Sequence, residues 1–284
     1  MTCYVRIGGG FGNQLFQYAF GRALALGRGA DVVYETGFYE DHSTQSLAHH
    51  RFWLEEIGLP MRRMAFSQAR FHTLRRMYRL PLAVQQAVMG VAIVRERFPF
   101  TQLPPALDGL LLNGVWANPR YFADAAPTVR AEILDAVGGP LPVGLPVGAV
   151  PVAFHVRRGD YLTHHAMANL DYVAYLDAAR RLFRDKLGNK PIVFVVFSDD
   201  PAWCRSNLAS EDVVFSPGRS MLEDFRMMIG CSHHVISNST FAWWAAFLGG
   251  TSETVVVAPQ RWIANQSGRE LGLVADDWVE IAEV

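Results

Sequence analysis

From Val152 to Ala258 short apolar runs alternate with stretches of helical length, and this alternation constrains the fold more than any other feature of the chain. The pattern predicts strands over Val152–His155, Ile192–Phe197, Val213–Phe215, His234–Ser237 and Val255–Ala258. Helices are expected over Asp171–Leu187, from Pro201, from Ser220 and over Thr240–Leu248. Ser220-Met-Leu-Glu223 reads as a capping box. Strands joined through a helix pair in parallel, because only a crossover of a dozen or more residues brings the chain back to the same end of the sheet. A sheet of this kind is covered by helices on both faces, which makes the segment an α/β domain.

The chain opens in the same way. Cys3–Ile7 reads as a buried strand, Gly8–Gly12 as a tight loop, and Gln14–Leu26 as a helix with Asn13 as its N-cap and Gly27 and Gly29 at its end. A second strand is expected over Val32–Glu35. Residues 61–100 read as helical and basic, and Leu110–Trp116 as a strand that delivers Trp116 and Asn118 to the sheet edge. Gly138 to Gly148 is rich in glycine and proline and carries no charge, so it reads as the linker between an N-terminal domain, residues 1–140, and a C-terminal one, residues 150–284. A chain of 284 residues fits two such domains.

The composition narrows the class. Hydrophobic residues make up 50% and charged residues 19%, as in a soluble globular protein, and a net charge of -1 provides no field that would gather nucleic acid. Cys3, Cys204 and Cys231 are odd in number and at no metal-ligand spacing, so they read as reduced, buried thiols. No signal-peptide pattern and no run of membrane-spanning length stands out, and the expected location is the cytoplasm.

Three motifs sit where the expected strands end. The run Pro151–Phe154 leads directly into His155-Val-Arg-Arg-Gly-Asp-Tyr161, placing Arg157 and Arg158 at the rim of the sheet. Ligands of open α/β sheets bind at the carboxyl ends of strands, and arginine grips phosphate oxygens in a bidentate fork. A strand-end salt bridge to Asp160 is the plain alternative. The Arg158-Gly-Asp160 tripeptide is too short to support an adhesion role. The second motif, Ser198-Asp199-Asp200, suits a ribose, a purine edge or a metal; Asp200 before Pro201 equally suits a helix cap. The third runs from Ser237 through Asn238, Ser239 and Thr240 to Phe241, where small residues open a helix and its N–H groups could meet phosphate. Capping by Ser239 is the plain reading there, and Trp243 and Trp244 read as core.

The glycine loop is not a dinucleotide fingerprint, because the third glycine position falls on Asn13 or Leu15. It reads instead as backbone access to a ligand between the domains. Adjacent histidines His49-His50, His164-His165 and His233-His234 point apart on any regular element, so solvated or core histidines are expected. No Walker lysine loop is present. Together the motifs describe a nucleoside-diphosphate pocket in which arginines could stabilise a departing diphosphate.

The chain resembles the bacterial α-1,2-fucosyltransferases of glycosyltransferase family 11, nearly end to end. The resemblance lies in Gly9–Ala19, Gly114–Phe122, His155–Tyr161, Phe197–Asp200 and Met228–Trp244. It implies a GT-B architecture, two Rossmann-like domains facing a central cleft, with GDP-fucose as donor, inversion at the sugar carbon and no cofactor or required metal. It also implies Arg157 on the β-phosphate, Ser198–Asp200 near the guanosine and Ser239-Thr240 on the diphosphate. Arg158, Asn238, Phe241, Gly10 and Asn13 complete the expected donor site, and Gln14, Trp116 and Asn118 the acceptor site. His155 and Asp160 are candidates for the base that takes the acceptor proton, beside a phosphate oxygen or water. The expected acceptor is a galactose-containing glycan, with no nucleic-acid partner. Pro119-Arg120 and the arginines after Met61 lie in the more variable acceptor half.

Two other readings compete. One is a metal-dependent GT-A transferase with Asp199 and Asp200 as ligands; the other is a non-catalytic glycan- or nucleotide-binding protein. A further expectation concerns residues 61–80, where Arg62, Arg63, Arg70, Arg75, Arg76 and Arg79 occur with no acidic residue. A solvated face of the domain is the plain reading, and docking on anionic membrane lipid is the alternative.

Overall fold

The computed structural model describes residues 1–40, 51–162 and 167–282, and the chain divides into two compact units, Met1–Ala136 and Val137–Val284. In the first unit five strands form one parallel sheet: β1 (Thr2–Arg6), β2 (Asp31–Glu35), β3 (Arg63–Met64), β4 (Ala92–Arg95) and β5 (Leu110–Asn113), in the order β3-β2-β1-β5-β4. The helices between and after them are α1 (Phe11–Arg28), α2 (Trp53–Glu56), α3 (Gln68–Met77), α4 (Leu82–Met89) and α5 (Ala126–Val137).

Helix α1 begins three residues before the expected start. Phe11 is buried against Trp53, with ring centroids 6.2 Å apart, and this pulls the first turn back to an N-cap at Gly10. Asn13 therefore lies inside the helix and is not its cap. Gly29 ends the helix at φ 59°, while Gly27 is an ordinary helical residue. Residues 61–100 are less helical than expected, because Ala92–Arg95 forms an edge strand of the sheet.

The second unit holds the six-stranded parallel sheet. Its strands are β6 (Val150–Val156), β7 (Ile192–Ser198), β8 (Val213–Phe215), β9 (His233–Val235), β10 (Val256–Pro259) and, beyond a small hairpin of β11 (Arg261–Ile263) with β12 (Gln266–Ser267), β13 (Val279–Ile281). The helices are α6 (Tyr172–Leu187), α7 (Pro201–Leu208), α8 (Met221–Ile229) and α9 (Thr240–Gly249). The order β13-β10-β9-β6-β7-β8 is that of a Rossmann sheet read from its far edge, and its direction reverses between β6 and β9. Phe154 and Val156 of β6, Phe194 and Val196 of β7, and Tyr175 and Phe183 of α6 share one buried cluster. Strand β6 is covered on its faces and paired on both sides, which explains its continuous apolar sequence.

The local signals behave as their chemistry requires. Asp171 caps α6 by accepting the Val173 and Ala174 N–H groups, each at 3.1 Å. Ser220 caps α8 by accepting the Glu223 N–H at 3.1 Å, and its hydroxyl donates to Glu223 Oε2 at 3.2 Å. The Gly/Pro stretch lies in the second unit, pinned to α8: Arg226 donates to the Gly138 and Gly139 carbonyls, and the Leu141 N–H donates to the Arg226 carbonyl. All three cysteines are free and buried, and burial pushes the Cys231 thiol up to about 12.

Candidate functional site

The site is built where the second sheet changes direction. Arg157 and Arg158 leave the end of β6, Asp199 and Asp200 follow β7, and residues 237–240 follow β9 into α9. A crevice outside the carboxyl ends of strands at this reversal is the usual ligand position of an open α/β sheet.

The two arginines are held by the two aspartates of the neighbouring strand. Arg157 Nη2 lies 2.7 Å from Asp160 Oδ1 and Nη1 lies 3.1 Å from Asp199 Oδ2, with 26% of its side chain still exposed. The Arg158 N–H donates to Asp199 Oδ1 at 2.9 Å, its Nε donates to Asp200 Oδ2 at 3.2 Å, and its guanidinium lies 3.9 Å from the Trp203 ring centre. Half-exposed pairs of this kind add little to stability, so their effect is to aim the guanidinium groups. Gly159 is required by this packing, since a Cβ there would stand 2.8 Å from Asp199 Oδ2. The salt bridge to Asp160 is thus present, together with a second carboxylate that the sequence did not pair with it.

Asp200 is a cap as well as an ion-pair partner: its Oδ1 accepts the Trp203 N–H at 3.1 Å. Ser198 braces the same turn, accepting the Asp200 N–H at 2.9 Å. Ser239 occupies the N-cap of α9 without a side-chain cap bond, so the positive end of that helix faces the strand ends, with Thr240 and Phe241 in its first turn. Asn238 departs from its expected role. Its side chain is buried and donates to the Ala168 and Trp262 carbonyls at 3.0 and 2.8 Å, which makes it a brace between loops. Trp243 and Trp244 are core residues, buried as expected.

His155 needs the clearest correction. Its ring is buried against Phe241, and burial together with the nearby Arg157 charge pushes its pKa down to about 3. An imidazole this weakly basic is a poor proton acceptor near neutral pH. Its Nδ1 lies 2.8 Å from Ser237 Oγ. The Tyr172 hydroxyl accepts the Arg157 N–H at 2.9 Å and donates to the Arg157 carbonyl at 2.8 Å. Tyr172 therefore fixes the backbone of Arg157 one residue beyond the last strand residue, while His155 is held separately by Ser237. Tyr172 was missed in the sequence because it reads as the first residue of a helix; its place directly after a capping aspartate was the available signal. Tyr161 adds a further tie, donating to the Asn238 carbonyl at 3.1 Å.

The expected acceptor residues lie in the first unit and are mostly structural. Gln14 is fully buried: its Nε2 donates to the Gly9 and Arg51 carbonyls and its Oε1 accepts the Trp53 and Leu54 N–H groups. Trp116 is also fully buried, stacked on Phe20 at 4.2 Å. Its φ of 58° ends the strand early, and the Glu96 carboxylate holds the bend by accepting the Val115 and Trp116 N–H groups. Asn118 caps the turn at Pro119–Tyr121 and donates to the Pro99 carbonyl. None of these three side chains is free to meet a ligand. The missed residue is Gln17, which accepts the Gly8 N–H and donates to the Gly114 carbonyl, tying together the loops where the first sheet reverses.

His233 and His234 are core histidines. The His233 ring accepts the Val255 N–H, and His234 is fully buried with a pKa pushed down to about 3. His49-His50 and His164-His165 lie outside the described residues. Among the described residues no cluster of three or more His, Cys, Asp or Glu side chains could hold a metal ion. His155 and His234 take up protons on unfolding once pH falls below about 6.5, so stability should fall as pH drops from there towards 3. Each should cost about 2 kcal/mol at pH 5. Denaturant unfolding at pH 7 and 5 measures this, and His234→Leu should remove about half of the slope below pH 6.5 that the two histidines supply.

Paired arginines and a helix start at the reversal of a Rossmann-ordered sheet form the arrangement in which the nucleotide-binding α/β class holds anions. The model of the family described as Glycosyl transferase family 11 matches residues 87–282, well over half of the chain, which therefore belongs to that family and is a glycosyltransferase. Each of its two units carries a parallel sheet with helices between its strands. An alpha-1,2-colitosyltransferase of Escherichia coli is 26% identical, with 97% of each chain covered. The O-antigen biosynthesis glycosyltransferase WbnK of Escherichia coli is 27% identical, covering 98% of this chain and 100% of that one. A galactoside alpha-(1,2)-fucosyltransferase 2 of Sus scrofa is 39% identical over a shorter stretch, 46% of this chain and 39% of its own.

Proposed function

We propose that this glycosyltransferase moves L-fucose from GDP-fucose, with inversion, to O-2 of a galactose-containing glycan. The observation that carries the reading is the aimed Arg157 at the reversal of the second sheet, opposite the uncapped start of α9. The names of the pig fucosyltransferase and the bacterial colitosyltransferase support the sugar class and the α-1,2 linkage.

In this reading the second unit binds the donor and the first the acceptor. As the bond from the fucosyl carbon to the β-phosphate oxygen breaks, Arg157 turns from Asp160 and Asp199 towards the departing diphosphate and stabilises its growing charge. The acceptor oxygen bonds to the opposite face of an oxocarbenium-like carbon and loses its proton. Asp160, half-exposed beside Arg157, is the protein candidate to take it, since His155 is too weakly basic. The protein's own cations stabilise the leaving group, so activity should persist in EDTA. The enzyme works in the cytoplasm, in peripheral contact with an anionic membrane; among the described residues no helix is long and apolar enough to cross one.

Transfer assays with GDP-fucose, a colitosyl donor and UDP-sugars against a panel of galactosides, with linkage analysis of the product, test the proposal. Transfer from a UDP-sugar, or release of GDP only into water, would overturn it. Nucleotide choice gives an independent measure. GDP should protect the protein against thermal unfolding far better than UDP, by about 2.7 kcal/mol at a hundredfold excess over its Kd. Equal protection by the two nucleotides would contradict the donor assignment.

A further inference from the structure

Helix α4 is turned inside out. It carries no charged residue, and its one buried side chain is an amide, Gln85. Gln85 Oε1 accepts the Ile93 N–H at 2.9 Å and its Nε2 donates to the Leu80 carbonyl at 2.8 Å. The side chain thereby closes the open edge of β4, the outermost strand of the first sheet. Leu82 and Met89 stay partly buried, Met89 against the core, while the remaining apolar residues point outward. Val84 is 42% and Val88 65% exposed, and Leu80, one turn before, is 45% exposed. A four-residue spacing puts Val84 and Val88 on one stripe; Leu80 lies before the helix.

The charge around the stripe is mostly of one sign, with Asp108, exposed beside Gln86 of α4, as the acidic exception. Arg75, Arg76 and Arg79 are exposed just before α4, and Arg95 and Arg97 just after it. From Met61 to Leu107 the sole acidic residue is Glu96, whose carboxylate turns inward to the Val115 and Trp116 N–H groups. Beside the helix runs a groove of about 870 Å³ whose lining includes Leu82, Tyr78, Arg95, Arg97 and Phe100.

We propose that α4 docks flat on an anionic bilayer, with Val84 and Val88 at the headgroup–acyl boundary and the surrounding arginines on lipid phosphates. A second copy of the chain is the poorer occupant, because a symmetric contact sets the same arginines against one another. The inference rests on the peripheral-membrane part of the proposed function and moves the contact away from residues 61–70. Arg62 is already paired with Asp31 at 2.6 Å, Arg63 with Glu55 at 2.8 Å, and Arg70 donates to the Met89 carbonyl at 3.1 Å.

Co-sedimentation of the full chain with phosphatidylglycerol–phosphatidylcholine vesicles and with pure phosphatidylcholine vesicles, at low and high salt, tests it. The expected result is binding to the anionic vesicles alone, weakened by salt. Val84→Asp with Val88→Asp should bind about tenfold less tightly or worse, and Arg76→Glu about fivefold less tightly. All variants should keep wild-type transfer to a soluble acceptor. If the aspartates disturb folding, Val84→Ser with Val88→Ser carries the same expectation with a smaller effect. Equal binding by wild type and the valine variant sinks the role of α4 and leaves arginine-driven association standing. No binding to anionic vesicles at low salt removes both, without touching the reading of sugar transfer. Dimerisation that the valine variant abolishes would assign the stripe to a second copy.

Discussion

Arg157→Ala should lower transfer by at least about a hundredfold, roughly 3 kcal/mol of lost transition-state stabilisation. The guanidinium is the one group at the strand end that is both aimed by two carboxylates and still partly open to solvent. Its removal takes away the charge that meets the diphosphate. It also leaves Asp160 and Asp199 facing the same space, and their repulsion adds to the loss. Arg157→Lys should recover little, since an ammonium is a point charge and cannot span two phosphate oxygens as the planar fork does. Stability should change little, because the ion pairs are half-exposed. Steady-state transfer measured beside thermal unfolding decides the matter. An alanine variant that folds normally and turns over at the wild-type rate would remove the donor site from this edge of the sheet.

The second unit was the more legible half, for a physical reason. Strands β6 and β7 read as nearly unbroken apolar runs, and α6, α7 and α8 begin at residues whose side chains cap them, Asp171, Asp200 and Ser220. Strand β13 and the hairpin of β11 with β12 are three residues long or less, too short to stand out against the surrounding sequence. The first unit was harder. Strand β4 was hidden because its apolar residues run on from those of α4, with only Gly90 between them.

Site residues divide along a similar line. The sequence placed Arg157, Arg158, Asp199 and Asp200 at neighbouring strand ends, and the structure brings the four together there. Gln14 and Asn118 were not, because an amide next to a glycine loop or a proline looks the same whether it meets a ligand or satisfies backbone groups. Only the geometry shows that Gln14 bonds the backbone on both sides of its amide. Burial was equally invisible for His155, whose position in the motif suggested a base, although its neighbours Ser237 and Phe241 come from a distant segment.

The hold of Tyr172 on Arg157 yields the second large effect. Tyr172→Phe keeps the ring, which packs edge-on against Phe154 and Trp203, and deletes only the hydroxyl. The Arg157 N–H and carbonyl then lose their shared partner beside the sheet end. A buried polar group left unsatisfied costs about 1–3 kcal/mol, so the native loop should weaken by about that amount or more. Arg157 would keep its charge but sample positions away from the diphosphate, and misplacement by about an ångström can cost on the order of a hundredfold in rate. The expected outcome is a fall of at least about tenfold in transfer together with reduced protection by GDP, since the same arginine serves binding and catalysis. His155→Phe, which deletes the bond to Ser237 two residues before Arg157, should show a smaller loss of the same kind, with an unchanged pH profile of transfer between pH 6 and 9 because the histidine is neutral throughout that range. A Tyr172→Phe variant with wild-type turnover and wild-type GDP protection would show that Arg157 is held by its carboxylates alone.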